Sequence, residues 1–105
     1  IAQDISTTLR KEERCDLVIC LSHLGYDYSN KEIISDINLA KLTKGIDLII
    51  GGHTHTFLDK PTIVENKEDK SVLINQVGWG GVNLGRIDFY LDENSNQSHS
   101  TVYNI

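Results

Sequence analysis

Two short apolar runs constrain this chain more than any other feature. Residues 16–21 read DLVICL and residues 46–50 read IDLII. Each is strand-length and nearly continuous, which is the pattern of a strand covered on both faces in a parallel sheet. Between them lies one amphipathic stretch, so residues 16–50 predict a strand–helix–strand unit, a connection that is right-handed and parallel in nearly all known cases. Ser29 and Glu32 have capping-box spacing and predict that this helix opens there and runs to about Thr43, with Ile33, Ile37 and Ala40 facing inward. Gly45 sits just past its end, where a left-handed residue is wanted.

An earlier helix is predicted over residues 1–14, with Ile1, Ile5 and Leu9 recurring on one face. The charged run at residues 10–14 reads as a solvated helix face. After Pro61 the pattern changes. Thr62–Glu65 and residues 71–76 read as strands around a polar turn at 66–70. The glycine-rich VGWGG follows at 77–81, then a long strand over 84–91. A turn at 92–96 leads to an edge strand near 101–105. The order αβαβ followed by a β-meander predicts a mixed α/β fold, its parallel part feeding an antiparallel edge.

At 105 residues the chain is one domain or part of one. It contains no methionine and starts at Ile1, so it is read as processed or cut from something longer. The net charge of −5, with scattered basic residues, argues against a nucleic-acid polymer or an anionic membrane as main partner. No window has the apolar length of a membrane span, and an export signal is not visible. Cys15 and Cys20 flank one strand and lie too far apart in extended chain to pair, so both are read as thiols.

The chemistry concentrates in three histidines. His23 follows the first apolar run. His53 and His55 follow the second, in Gly51-Gly52-His53-Thr54-His55-Thr56. Parallel strands end on one edge, so both loops open onto the crevice where such sheets place ligands. In extended chain His53 and His55 point the same way and could share one metal or serve two. Gly51 and Gly52 allow a sharp turn and close approach to a ligand. Neutral imidazole suits zinc, iron, nickel or copper, and manganese when carboxylates share the site. Backbone-satisfied loop histidines are the structural alternative. No carboxylate has an obvious place beside them; Asp27 and Asp59, nearest in sequence, read as loop or solvent-facing residues. Tyr26 and Tyr28 are either pocket rim or surface. Trp79 either stacks on a substrate or packs over a strand, with packing the commoner use. Arg86 reads as an ion-pair partner and His99 as surface. Asn96, Gln97 and Ser98 match a glycosylation acceptor, relevant only in a secreted eukaryotic protein.

Taken together, Ser22-His23-Leu24-Gly25, Leu39-Ala40, Gly45-Ile46-Asp47, Ile50-Gly51-Gly52-His53-Thr54-His55-Thr56 and the later Val77-Gly78-Trp79-Gly80-Gly81 with Leu84-Gly85-Arg86-Ile87-Asp88 resemble the calcineurin-like metallophosphoesterases. The closer resemblance is to their 5′-nucleotidase branch, which includes UDP-sugar hydrolases and 2′,3′-cyclic-nucleotide phosphodiesterases. It covers about residues 14–92. It implies a two-sheet sandwich flanked by helices and two divalent metal ions, such as zinc, manganese or iron. His23 and His53 would bind one ion and His55 the other. Many exported 5′-nucleotidases have glutamine at the position of His55; histidine is the commoner form across the superfamily.

The family's Asp-x-His, Gly-Asp and Gly-Asn-His-Glu motifs, which supply the other ligands, the bridge and a catalytic histidine, are absent. So is its nucleotide-binding carboxyl-terminal domain. Residues 1–105 are therefore expected to be the carboxyl-terminal half of a catalytic domain, with 93–105 an edge strand or tail. The parent is expected to hydrolyse phosphate esters, those of nucleotides, by metal-activated water in the periplasm or outside the cell. The fragment alone is expected to be inactive, to hold at most a partial metal site, and to self-associate through uncovered sheet. The alternatives are a small non-catalytic metal-binding or assembly module, and a structural α/β fragment without metal.

Overall fold

The computed structural model describes residues 1–93 and the backbone of 97–104; Asn96, the side chain of His99 and the end of the chain lie outside the described residues. The elements run α1 (Ala2–Lys11), β1 (Ile19–Leu21), α2 (Asp36–Leu42), β2 (Leu48–Ile50), β3 (Thr62–Glu65), β4 (Ser71–Asn75), β5 (Gly85–Leu91) and β6 (Gln97–Asn104). The expected mixed α/β architecture is present. One sheet has the order β1-β2-β4-β3, and β5 pairs with β6 in a second. β1 and β2 are parallel with Ile19 opposite Leu48 and Leu21 opposite Ile50. β2 and β4 are also parallel, while β3 closes the edge antiparallel to β4.

The core lies between this sheet and α2. Ala40, Ile46, Ile49, Val64, Val72 and Ile74 form one buried cluster, with Cys20, Tyr26, Ile37 and Leu39 packed against it. The strand-end alternation explains why: Val18 and Cys20 point to the helix side, and Ile19 and Leu21 to the other. That other face is covered at Leu48 and Leu73, each 3% exposed, and open elsewhere. Ile19 is 46% exposed, Leu21 80% and Ile50 43%. The expectation of strands covered on both faces is thus corrected for β1 and for the end of β2 at Ile50, and it holds at Leu48 and Ile49. A groove of about 620 Å³ lies between Ile19, Leu48 and Ile50 on this face and Ile87 and Phe89 of β5.

Three further expectations are corrected. The first helix does not bury its Ile1–Ile5 stripe, since Ile1 is 96% and Ile5 56% exposed. It docks by its polar face instead. Ser6 Oγ donates to the Lys44 carbonyl at 2.9 Å, and the Lys44 amide donates to Gln3 Oε1 at 2.9 Å. The second correction is Arg10, which is no solvated residue. Its guanidinium pairs with Asp47 and donates to the carbonyls of Cys15, Asp16 and Gly45, clamping α1 to the amino ends of β1 and β2. Asp47 Oδ2 also accepts from the Val18 amide at 2.6 Å.

The third correction is the start of α2. Its cap is Ser35, whose Oγ accepts from the Asn38 amide at 3.2 Å. Residues 30–33 are instead taken up by a turn in which Asn30 Oδ1 accepts from the Glu32 amide and its carbonyl from the Ile33 amide. The Asp36 and Ile37 amides, orphans of a first turn, donate to the carbonyls of Gly25 and Tyr26. The helix start is fixed by the loop that carries His23, so a local capping pattern did not locate it. Gly45 follows α2 in the expected left-handed conformation, φ +84°. Both cysteines are free thiols. Among the described residues no helix is long and apolar enough to cross a membrane.

Candidate metal-binding edge

The carboxyl ends of β1 and β2 carry the two histidine loops side by side, because the strands are parallel and in register. The Ser22 amide donates to the Ile50 carbonyl at 2.9 Å, so the first loop leaves the sheet attached to the end of the second strand. This brings the His23 and His53 rings together, with centroids 5.2 Å apart and planes at 74°. Both are exposed. His55 is not turned toward them as an extended Gly-Gly-His-Thr-His would require. It stacks on Trp79, centroids 6.0 Å apart and planes 23° apart. The reason is backbone conformation: His53 and His55 both lie in the left-handed region, φ +70° and +52°. For a residue with a side chain that conformation costs on the order of 1 kcal/mol, and it persists only where the surroundings hold it.

What holds it is Gln76, which is 2% exposed. Its Oε1 accepts from the Thr56 amide at 2.5 Å and from Thr54 Oγ1 at 3.1 Å, and its Nε2 donates to the Gly52 carbonyl at 2.8 Å. One buried amide thus braces the loop at three points. Thr54 Oγ1 also accepts from the Tyr26 amide at 3.0 Å, tying the two loops together. The two glycines before His53 are required by close approach, not by a positive φ. A Cβ on Gly51 would overlap Asp36 Oδ2, and one on Gly52 would stand 3.0 Å from the Nδ1 of His23.

Sequence reasoning missed Asp36 as well as Gln76. Asp36 is fully buried at the head of α2, and its Oδ1 accepts from Ser22 Oγ at 2.5 Å. Burial pushes its carboxyl above the ordinary range, partly opposed by the Ser22 hydrogen bond. Burial also pushes the Cys20 thiol up, with Asp36 adding to the effect. A raised carboxyl means that the fold prefers the neutral form. Its stabilisation is complete below the unfolded value of about 3.9 and is lost as pH rises through the folded value. Asp36→Asn is therefore expected to gain stability relative to the unchanged protein as pH rises from about 4 to 8. Urea midpoints measured across that range check it; a constant difference would contradict it. The signal for Gln76 was a pair of polar residues, Asn75 and Gln76, directly after the apolar residues 72–74.

The remaining candidates fall out plainly. Asp27 is bound to Lys31 in an exposed pair. Tyr26 packs on the core and shares a 2.7 Å hydrogen bond with Thr62, so it does not rim the site; Tyr28 donates to the Leu24 carbonyl. Arg86 pairs with Asp88 at 3.1 Å, in line with the ion-pair expectation. Trp79 stays 64% exposed beside His55. The donor chemistry, two adjacent imidazoles with His55 turned to Trp79, fits a borderline divalent ion. Among the described residues no group of three or more His, Cys, Asp or Glu side chains converges.

A mixed α/β layer with paired histidine loops at its carboxyl edge is the class of segment that these features define. No model of a known protein family matches the chain. Individual proteins do. It is 41% identical over 92 residues to the trifunctional nucleotide phosphoesterase protein YfkN of Bacillus subtilis, matching 88% of this chain and 6% of that protein. It is 39% identical over 106 residues to an apyrase of Tabanus yao, matching 87% of this chain and 18% of the apyrase. The crystal structure of a 5′-nucleotidase precursor from Thermus thermophilus superposes with a TM-score of 0.80 at 28% identity, over 99% of this chain and 22% of that one. The chain spans less than a quarter of each. In sequence and in fold, residues 1–105 correspond to a segment of the 5′-nucleotidase branch.

Proposed function

We propose that this segment supplies His23, His53 and His55 to the two-metal site of a phosphoesterase that hydrolyses nucleotides, as the carboxyl-terminal half of its catalytic domain. The observation that carries the reading is the meeting of His23 and His53 from different strands, 5.2 Å between ring centroids, on the edge where parallel sheets bind ligands. The relatives' names, nucleotide phosphoesterase, apyrase and 5′-nucleotidase, support the substrate class. That the Thermus relative is a precursor supports a periplasmic or extracellular protein.

His23 and His53 would hold one divalent ion and His55, oriented by its stack on Trp79, the second. Bound ions of this kind acidify water for attack and stabilise charge on a phosphoryl group. The role of the residues described here is to fix imidazole positions: Gln76 through the 52–56 backbone, and Trp79 through the face of His55.

The test is phosphate release from nucleoside monophosphates by the protein that carries this sequence, after chelation and after return of zinc or manganese. Activity lost on chelation and regained with metal supports the reading; activity indifferent to metal overturns it. Residues 1–105 alone are expected to release no phosphate. They are also expected to self-associate, because Leu21 and Ile50 are 80% and 43% exposed and Leu84, which lines the groove with Ile50, is 68% exposed. Sedimentation at high concentration checks this: Leu21→Lys with Leu84→Lys shifts the population toward monomer, and a clean unsubstituted monomer contradicts it.

A further inference from the structure

Asp36 stands apart from every other carboxylate in the described residues. It is 0% exposed and has one hydrogen-bonded oxygen. Its second oxygen finds no hydrogen-bond donor among the described residues. A buried carboxyl satisfied at half its capacity costs stability, and packing alone gives no reason to keep one at the head of α2.

Its position supplies the reason. Oδ1 accepts a hydrogen bond from the Ser22 hydroxyl, and Ser22 directly precedes His23. The same hydroxyl oxygen accepts from the Leu24 amide at 3.2 Å, so Ser22 sets the turn on both sides of His23. Oδ2 lies against Gly51, two residues before His53, so closely that only a glycine fits there. Gly51 is itself held by its amide bond to the Asn75 carbonyl at 2.9 Å. The side chain of Asp36 therefore touches the root of each histidine loop, one through a hydrogen bond and one through steric contact.

We infer that Asp36 is a positioning residue that sets the spacing of the His23 and His53 rings, acting through Ser22 on one loop and against Gly51 on the other. The ring spacing follows from this geometry alone; its consequence for a bound ion rests on the reading proposed above. A small oxygen-bearing side chain of this length is required. Alanine leaves the Ser22 hydroxyl without its acceptor, and a longer side chain displaces Gly51. Asparagine keeps both the acceptor and the volume.

The experiment is proton NMR of the metal-free protein with isotope-labelled histidine, reading the cross-relaxation peak between the His23 and His53 rings. The unchanged protein is expected to show it, as rings 5.2 Å apart and edge to face should. Asp36→Ala and Ser22→Ala are expected to weaken it at least about threefold, and Asp36→Asn to retain it. Ser22→Ala removes one hydroxyl from a half-buried site, so it carries the test even if Asp36→Ala does not fold. A folded Ser22→Ala protein with an undiminished peak overturns the inference, as does absence of the peak from the unchanged protein. Neither result depends on phosphate release. A failed nucleotidase assay with an intact peak and its loss in Ser22→Ala would overturn the proposed function and leave the positioning role standing.

Discussion

Substituting His53 by alanine is expected to weaken divalent-metal binding by at least about a hundredfold, with a matching fall in phosphate release, and to leave thermal stability almost unchanged. The first half follows from the proposed role of His53 as a direct ligand: outer-shell partners alone are worth about 10–100-fold in metal affinity. The second half follows from the local structure. His53 is exposed, and its left-handed φ of +70° penalises histidine and alanine alike. Surface substitutions of that kind stay within about 0.5 kcal/mol. Calorimetric zinc titration and a thermal melt on the same sample separate the two effects. A histidine kept for structure would give the reverse, with stability lost and metal affinity kept.

The other large effect belongs to Gln76. Gln76→Leu removes one hydrogen bond each from the Thr56 amide, Thr54 Oγ1 and the Gly52 carbonyl. Thr54 Oγ1 keeps Thr56 Oγ1 and the Gly52 carbonyl keeps the Thr54 amide, so the cost falls on the Thr56 amide and a loss of about 1–3 kcal/mol is expected in urea unfolding. Metal binding is expected to fall in parallel, because the same three bonds hold His53 and His55 in their left-handed conformations. Ile74→Ala is the control. Ile74 is fully buried at the centre of the sheet, and truncating it costs about 2–5 kcal/mol. It touches no loop bond, so the protein that remains folded should bind zinc as before. Equal metal loss in both variants would show that the loop follows global stability and that Gln76 has no separate hold on it.

These outcomes bear on how much a linear reading can reveal. The runs at 16–21 and 46–50 announced β1 and β2, and their parallel pairing placed His23 and His53 on one edge before any coordinates. The turn at 66–70 and the strands around it were equally legible, since antiparallel neighbours are joined by a short local signal. The start of α2 was not. Ser29 and Glu32 have the right spacing, but the amides of the real first turn are bound by Gly25 and Tyr26, which a local pattern does not register.

The sequence by itself determined the order of the elements and the strand ends that carry histidine, because those rest on periodicity and on rules that act within a few residues. Only the tertiary structure decided which faces are covered, that Arg10 and Gln3 dock α1 by its polar side, and that Asp36 and Gln76 brace the histidine loops. The partners that decide this, Ser22, Gly52, Asp47 and Lys44, lie 14 to 41 residues away along the chain. A buried polar side chain is specified by the donors and acceptors that folding brings to it, and that arrangement leaves no mark in the spacing of its neighbours.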